Sequence, residues 1–465
     1  MERHVKVAII GAGTAGLNAL SQVRKVTDSF VLINGGELGT TCARVGCMPS
    51  KALIQVAEDF HRRHVYERHG TRGAEALAAD LPEALEYVRD LRDHFVDRVL
   101  SSSTDEMGEE LVEGYARFLE PDLLDVEGQL IRAERIVIAT GSRPYVPEAW
   151  EGLRDRLITT DELFEQDTLP SRLAVIGLGV IGMELGQALA RLGLEVTGID
   201  RLDTVAGLQD PVVRQAAVEQ IGREMPLWLG AAAELEAAGE GLRIRAGEHV
   251  AEVDRALISV GRIPNLDRLG LERIGVALDA RGIPVYNPNT MQVGDLPIFI
   301  AGDVTGDRPI LHEAGDEGRI AGFNAVHEPV RAFRRKPHLA ITFCHPNVAT
   351  VGARWDELDH ERIAVGAMRF APVGRALIMA RNHGVVRIYA DRASGRLLGA
   401  ELVGPEGEHL AHFLALALSR ELTVYDLLKT PFYHPTLEET LQAALYDLLG
   451  KLDHQGEVPV ELQPL

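Results

Sequence analysis

The chain is short of three things, and each shortage narrows what it can be. Cysteine occurs 3 times in 465 residues, which excludes a structural disulfide framework. Positive charge is outweighed. The 48 Lys and Arg against 69 Asp and Glu leave a net −21, which repels nucleic acid and anionic lipid and argues against both as partners. Long apolar runs are missing as well. The sequence has no stretch of 18 or more apolar residues, and its opening, MERHVKVAIIGAG, has no leader-type apolar core with a cleavage site. No membrane span and no secretory route are expected, and the setting is read as cytoplasmic. In that compartment a close cysteine pair points to catalysis, redox exchange or metal rather than to stapling.

What is present is glycine in clusters and a repeat. The length alone suggests roughly three domains of 100–200 residues. In VKVAIIGAGTAGLNAL (5–20) an apolar, β-branched run ends in Gly11, Gly13 and Gly16 and passes into a helical pattern. LAVIGLGVIGMELGQAL (173–189) repeats this with Gly177, Gly179 and Gly182. Strand, glycine turn and helix form the context in which G-x-G-x-x-G reads as a dinucleotide site. The first two glycines let the backbone turn and approach a pyrophosphate, the third lets helix and strand close up, and the helix N-terminus faces the phosphates. A glycine-rich turn in another α/β unit is the bland alternative, and two copies with matching flanks reduce it. RIVIATGSRP (135–144) and RALISVGRIP (255–264) are a second matched pair, each an apolar strand running into glycine, arginine and proline. A third strand of this kind, LPIFIAGDVTG (296–306), stands alone. The simplest account is an α/β chain of two nested Rossmann-like domains, the first interrupted by the second and resuming near residue 265. From about 336 the alternation of ITFCHPNVATVG, GVVRIYAD and LLGAELVG, with the amphipathic GEHLAHFLALALSREL, predicts a third, α+β domain. Residues 74–101 read as mostly helix within the first.

An acidic residue about 20 positions after a fingerprint holds the ribose hydroxyls. The strand LEVTGID ends in Asp200, which suits NAD and repels the 2′-phosphate of NADP, although Arg201 follows at once. The matching strand SFVLIN ends in Asn34, an amide that still hydrogen-bonds a hydroxyl.

Cys42 and Cys47 lie in GTTCARVGCMPSKAL at C-x4-C spacing. Zinc would need two further ligands at matching spacing, and Cys344 is far away in a strand that reads as core. Two unrelated buried cysteines form a second reading. The third is a redox-active pair. Pro49 is taken as the first residue of a helix, which sets Cys47 at a helix N-terminus, where a thiolate is stabilised. Lys51, one turn on, adds a cation. Thiolate is the reactive form in disulfide exchange. Two nucleotide sites and one dithiol then suggest an electron path from dithiol to flavin to nicotinamide. Near the other end, PFYHPTLEET (431–440) offers His434 and Glu439, either as an acid–base pair or as a loop histidine beside a Thr436–Glu439 capping box. Phe343 and Phe413 read as core.

The motifs GAGTAG, TCARVGCMPSK, ATGSRP, GLGVIGMELG, SVGRIPN, IFIAGD and YHPTLEE, spread over nearly the whole chain, resemble those of the pyridine nucleotide–disulfide oxidoreductases, the dihydrolipoamide dehydrogenase branch most of all. The resemblance implies FAD in the first site and NAD in the second. The implied domains are 1–145 with 265–335 for FAD, 146–264 for NAD, and 336–465 for the interface of a homodimer. Cys42 is implied as the sulfur that attacks substrate and Cys47 as the sulfur against the flavin. Lys51, paired with Glu184, is implied beside the reactive edge of the isoalloxazine, and Asp303 on the ribityl chain. Gly11, Gly13, Gly16, Asn34, Thr41, Ala116, Thr140 and Gly141 complete the FAD set. Gly177, Gly179, Gly182, Asp200 and Gly261 complete the NAD set. His434 and Glu439 are implied as an acid–base dyad serving the other subunit. The expected partner is a lipoylated carrier protein of a 2-oxoacid dehydrogenase complex, of glycine cleavage, or of another kind, and no metal is expected. Three departures stand out: Ala43-Arg44 in the cysteine motif, Phe432-Tyr433 before His434, and Asn34 in place of an acid. An NADH-driven reductase of another disulfide or of a quinone, and a non-catalytic FAD-binding redox sensor, are the competing functions. Mercuric reductase is disfavoured because no cysteine pair closes the sequence, and glutathione reductase because Asp200 disfavours NADP.

Overall fold

The computed structural model describes residues 2–454 and 459–462. Three sheets carry the architecture, and the glycine-fingerprint repeat appears directly as two of them. In the first, parallel strands run in the order Leu111–Glu113, Phe30–Asn34, Glu2–Ile10, Gln129–Ile138 and Ile298–Ile300. Their continuous apolar runs suit a sheet buried on both faces. Val7, Ile9, Leu32 and Val137 have no exposed surface. The N-terminal half of Gln129–Ile138 also pairs antiparallel with Leu123–Val126, which pairs with Ala116–Glu120. Strand Ile298–Ile300 joins this sheet only after the chain has built the second one. There the parallel order is Leu227–Leu229, Glu195–Asp200, Arg172–Ile176, Arg255–Ile258 and Leu157–Ile158.

The two crossings between these sheets meet. Ser142–Pro144 pairs antiparallel with Arg262–Pro264, so the paired Gly-Arg-Pro motifs form a two-stranded strap. Arg262 Nε donates to Ser142 Oγ at 2.8 Å, and Ser142 Oγ donates to Asp303 Oδ2 at 3.1 Å. The third sheet is antiparallel, in the order Leu339–Thr342, Asn347–Gly352, Leu397–Gly404, Val385–Asp391 and Ile363–Arg369. Helices Gly407–Ser419 and Glu439–Leu449 cover it with buried Leu410, Leu414, Leu441, Leu445 and Leu448.

The stretch 74–101 is mostly helical as expected, and the start of the cysteine helix differs from expectation. The long helix starts at Leu81 and runs to Ser101, while within 74–80 only Ala74–Ala76 is helical, as a 3-10 turn. Asp80 sets the boundary. Its carboxylate accepts from Glu83 N–H, and Pro82 sits in the first turn, where its missing N–H costs nothing. The cysteine helix runs Cys47–His61, so Pro49 is its third residue rather than its first. Any place in the first turn tolerates proline, because those N–H groups have no intrahelical acceptor.

Candidate active site

The two fingerprints fold alike. Helix Thr14–Val23 starts behind Gly13 and helix Val180–Arg191 behind Gly179, and neither N-terminus has a side-chain cap. Gly11 and Gly177 have φ of +110° and +93°, and a Cβ there would fall 2.3 Å and 2.4 Å from the carbonyl oxygens of Ala139 and Ser259. A Cβ on Gly16 or Gly182 would fall 1.8 Å and 1.9 Å from the carbonyl oxygens of Gly11 and Gly177. These four glycines are explained by the fold. Gly13 and Gly179 are not, because a Cβ on either meets nothing within 4 Å. Two open glycines at two uncapped helix N-termini fit a bound pyrophosphate at each.

The strand-end residues act in parallel. Asp200 Oδ2 accepts from Leu178 N–H at 2.6 Å, and Asn34 Oδ1 accepts from Ala12 N–H at 3.2 Å, each 22 residues after its donor. Asn34 therefore keeps the loop-bracing acceptor that an acid would supply, while its Nδ2 donates to Gly36 C=O. Asp200 Oδ1 also accepts from Leu202 N–H at 2.8 Å.

Around the first fingerprint, Asn265 Nδ2 donates to Thr140 C=O and Asn265 N–H to Gly141 C=O, both at 3.0 Å. Among the described residues the buried Thr140 Oγ1 has no partner, which leaves a polar atom for a cofactor to satisfy. Thr41 lies exposed at the start of the short helix Thr41–Arg44. Ala116 is buried in its strand, so only its backbone is available to a cofactor. Gly261 sits in the strap at φ +134° with open space where a Cβ would be.

Cys42, in the short helix, and Cys47, the first residue of the cysteine helix, are both half-buried free thiols. Their sulfurs are within hydrogen-bonding reach. Donation from Cys42, together with the charge of Lys51, overrides burial and holds Cys47 down at about 7, against an ordinary 9.0. The same hydrogen bond, with burial, pushes Cys42 up. The reduced pair thus gives up its first proton from Cys47 rather than Cys42. Among the described residues, the group of acids and histidine spaced to hold a metal ion is Glu406, Glu408 and His409, which includes neither cysteine, so the zinc reading of the pair gains no ligands.

Lys51 Nζ lies 2.7 Å from Glu184 Oε2. Glu184 is 3% exposed, and its Oε1 accepts from Phe343 N–H at 2.8 Å. The Lys51 ammonium also sits 4.8 Å from the centre of the Phe343 ring. Phe343 is thus half-buried beneath Lys51, not core, and no periodicity in the sequence marks it. The same face of helix Val180–Arg191 continues the contact. Gln187 exchanges two 2.6 Å hydrogen bonds with the backbone of His345. Arg191 binds Glu224 and the buried Glu58 of the cysteine helix, and Glu58 also binds Arg381. A polar ladder therefore locks the cysteine helix, the second fingerprint helix and the third sheet's leading strand together.

A cavity of about 610 Å³ opens on Cys42 and Met48 but not on Cys47, within the size range of small-molecule sites. Its walls are one face of helix Thr14–Val23 and the Phe95–Ser103 end of helix Leu81–Ser101. The sequence reading missed this second wall, although Phe95, Arg98, Val99 and Ser102 have the spacing of one helical face.

His434 is 80% exposed, and its Nδ1 lies 2.8 Å from Glu439 Oε1. Glu439 Oε2 accepts from Thr436 N–H at 3.0 Å. The imidazole and the backbone hold the Glu439 carboxyl below its usual range. One carboxylate thus serves both proposed roles through separate oxygens. The box itself is incomplete, since the helix starts at Glu439 and Thr436 Oγ1 donates to Tyr433 C=O. Neither His434 nor Glu439 lines the cavity at Cys42 of its own chain.

Comparison with known proteins agrees with this architecture. Residues 5–318 match the family described as pyridine nucleotide-disulphide oxidoreductase, and residues 339–445 match that family's dimerisation domain. The chain is 34% identical to a dihydrolipoyl dehydrogenase of Haloferax volcanii over 97% of each chain. It is 30% identical to a mercuric reductase of Lysinibacillus sphaericus, over 95% of this chain and 82% of that one. Its fold matches the HOCl-induced flavoprotein disulfide reductase RclA from Escherichia coli, with a TM-score of 0.83 and 23% identity over 96% of this chain and 99% of that one.

Proposed function

This chain belongs to the pyridine nucleotide-disulphide oxidoreductase family, a flavoprotein family using FAD and NAD, and from that premise we propose that it oxidises a carrier-bound dihydrolipoyl group through a Cys42–Cys47 disulfide, with NAD as final acceptor. The overall change is dihydrolipoyl + NAD+ → lipoyl + NADH + H+. The observation that carries the reading is the cavity that Cys42 lines and Cys47 does not, with the Lys51 charge favouring the Cys47 thiolate.

In this reading 1–145 with 265–335 forms the FAD domain and 146–264 the NAD domain. Residues 336–465 form the interface of a homodimer, through which His434 of the partner subunit meets the cavity. Gly11, Gly13, Gly16, Asn34, Thr41, Ala116, Thr140, Gly141 and Asp303 hold FAD. Gly177, Gly179, Gly182, Asp200 and Gly261 hold NAD. The flavin, when bound, supplies two-electron transfer between a dithiol and a nicotinamide. The protein's own residues do the rest. His434, its Nδ1 fixed by Glu439, takes the proton of one substrate thiol on Nε2. The resulting thiolate attacks Cys42, the Cys42–Cys47 bond breaks, and Cys47 leaves as the thiolate that Lys51 and the helix N-terminus favour. The second substrate thiol gives its proton to His434 as His434 returns the first one to the departing Cys42, and its sulfur displaces Cys42. The pair ends as a Cys42 thiol and a Cys47 thiolate, with the second proton on the His434 imidazolium. The substrate leaves as the cyclic disulfide, and the enzyme pair holds its two electrons.

The test is Cys42→Ser. Dihydrolipoamide turnover with NAD should vanish while NADH still reduces an artificial dye, and undiminished dithiol turnover contradicts the scheme. Rates across lipoylated carriers, glutathione disulfide and quinones then rank the substrates. The resemblance to both a dihydrolipoyl dehydrogenase and a mercuric reductase makes a reductase of another acceptor the second reading.

A further inference from the structure

We propose that the cavity beside Cys42 selects dithiols that bring a carboxylate to it, and that Arg24 and Arg98 make the selection. The inference rests on Cys42 being the substrate-facing sulfur, as the proposed function has it, and adds the charge class of the substrate.

The cavity is lined by apolar Leu17, Met48, Phe95 and Val99 together with neutral hydroxyl and amide side chains, and the charged residues in its lining are Arg24 and Arg98, with no acid among the described residues that line it. Arg24 ends the first fingerprint helix. Ten residues from Thr14, it stands about 15 Å along the axis from the fingerprint end. Arg98 lies in the last turn of the second wall. In a chain of net charge −21, most arginines of such helices are claimed by carboxylates, as Arg92 is by Glu165. Among the described residues, neither Arg24 nor Arg98 has an ion-pair partner, and Arg24 rests against the Phe30 ring at 5.4 Å. A cation at a helix C-terminus complements the dipole, which accounts for each arginine singly. It does not account for two of them converging on one cavity from separate helices with no acid between. A passage that mixes apolar and neutral polar side chains and bears two guanidinium groups as its charges fits an alkyl arm that carries a carboxylate. The carboxylate belongs either to the free dithiol acid itself or to a carrier surface next to the lipoyl-lysine. The rest of this acidic chain repels such groups.

The test needs no turnover. In FAD-loaded Cys47→Ser, where Cys42 is freed from the neighbouring sulfur that holds it up, iodoacetamide alkylation of Cys42 at about pH 9 is followed by peptide mass, with octanoate or octanamide as protectant. The two differ only in charge. Exposed ion pairs contribute about 1.4- to 5-fold each, so octanoate should half-protect at a concentration about 2- to 25-fold lower. The gap should narrow in Arg24→Gln and in Arg98→Gln. It should close in the double variant and in about 1 M salt, where the screening length is about 3 Å. Equal protection, better protection by octanamide, or an unchanged gap in the double variant overturns the proposal. Steady-state kcat/KM for dihydrolipoate against dihydrolipoamide gives the second readout, again expected to favour the acid. If neither dithiol is turned over, the dihydrolipoyl reading falls while the alkylation result still decides the anion site. A loss in Arg98→Gln confined to free dihydrolipoate assigns the carboxylate to the substrate's own tail. A matching loss with a lipoylated carrier domain assigns it to the carrier.

Discussion

Replacing Cys42 by Ala should disarm Cys47 without touching it. The largest influence holding Cys47 near 7 is the hydrogen bond from Cys42, followed on the favourable side by Lys51, with burial acting against both. At pH 7 and a midpoint of about 7, half of Cys47 is thiolate. Without the donor the midpoint moves toward the ordinary 9.0, where about 1% is thiolate at pH 7. Because only thiolate reacts, alkylation of Cys47 by iodoacetamide should slow by up to about 50-fold at pH 7 and by much less at pH 10. The assay is the pH dependence of that rate in FAD-loaded protein, with the modified peptide identified by mass. Cys42→Ser retains a hydroxyl donor and should fall between wild type and Cys42→Ala. A Cys42→Ala midpoint still near 7 refutes the reasoning and transfers the burden to Lys51 and the helix N-terminus.

Other expectations follow from the same geometry. Gly13→Ala should fold, since its Cβ meets nothing, yet purify with little flavin, whereas Gly16→Ala, 1.8 Å from a carbonyl oxygen, should lower stability outright; visible absorbance and urea melts separate the two. Glu184→Gln removes the buried partner of Lys51 and should cost about 2–3 kcal/mol in urea unfolding of the holoenzyme. His434→Gln should lower dithiol turnover by about 10²–10⁴-fold and leave NADH–dye reduction intact. In the reduced protein the depressed Cys47 contributes stability that is full above the unfolded thiol's pKa, near 9, and is lost as pH falls through about 7. The urea midpoint of the wild type relative to Cys47→Ser should therefore rise between those values.

Much of this was legible in the sequence, because the relevant signals are local. The fingerprints carry their own reasons, as Gly11 and Gly16 are required by backbone contacts a few residues away. The alternation after residue 336 announced its antiparallel sheet. The paired arginine–proline segments hinted at a repeat, and the strap Ser142–Pro144 with Arg262–Pro264 is what that repeat builds. What stayed hidden is long-range. Glu184 meets Lys51 across 133 residues of chain, a pairing that only the family resemblance suggested. Phe343 beneath Lys51 and the Glu58–Arg191–Arg381 ladder depend on how three sheets dock, which no local period encodes. The cavity wall from Phe95 to Ser103 was read only as a helix, since nothing in its own pattern says what it faces. Residues 74–101 are mostly helical as read, and Asp80 and Pro82 set where the long helix begins within them.

The most direct test of the account is a thiol count on the denatured holoenzyme, taken before and after anaerobic treatment with NADH. With three cysteines in the chain, a Cys42–Cys47 bridge opened by NADH predicts one titratable thiol, Cys344, before treatment and three after. Three thiols before treatment, or one thiol after it, contradicts the bridge on which the proposed function stands.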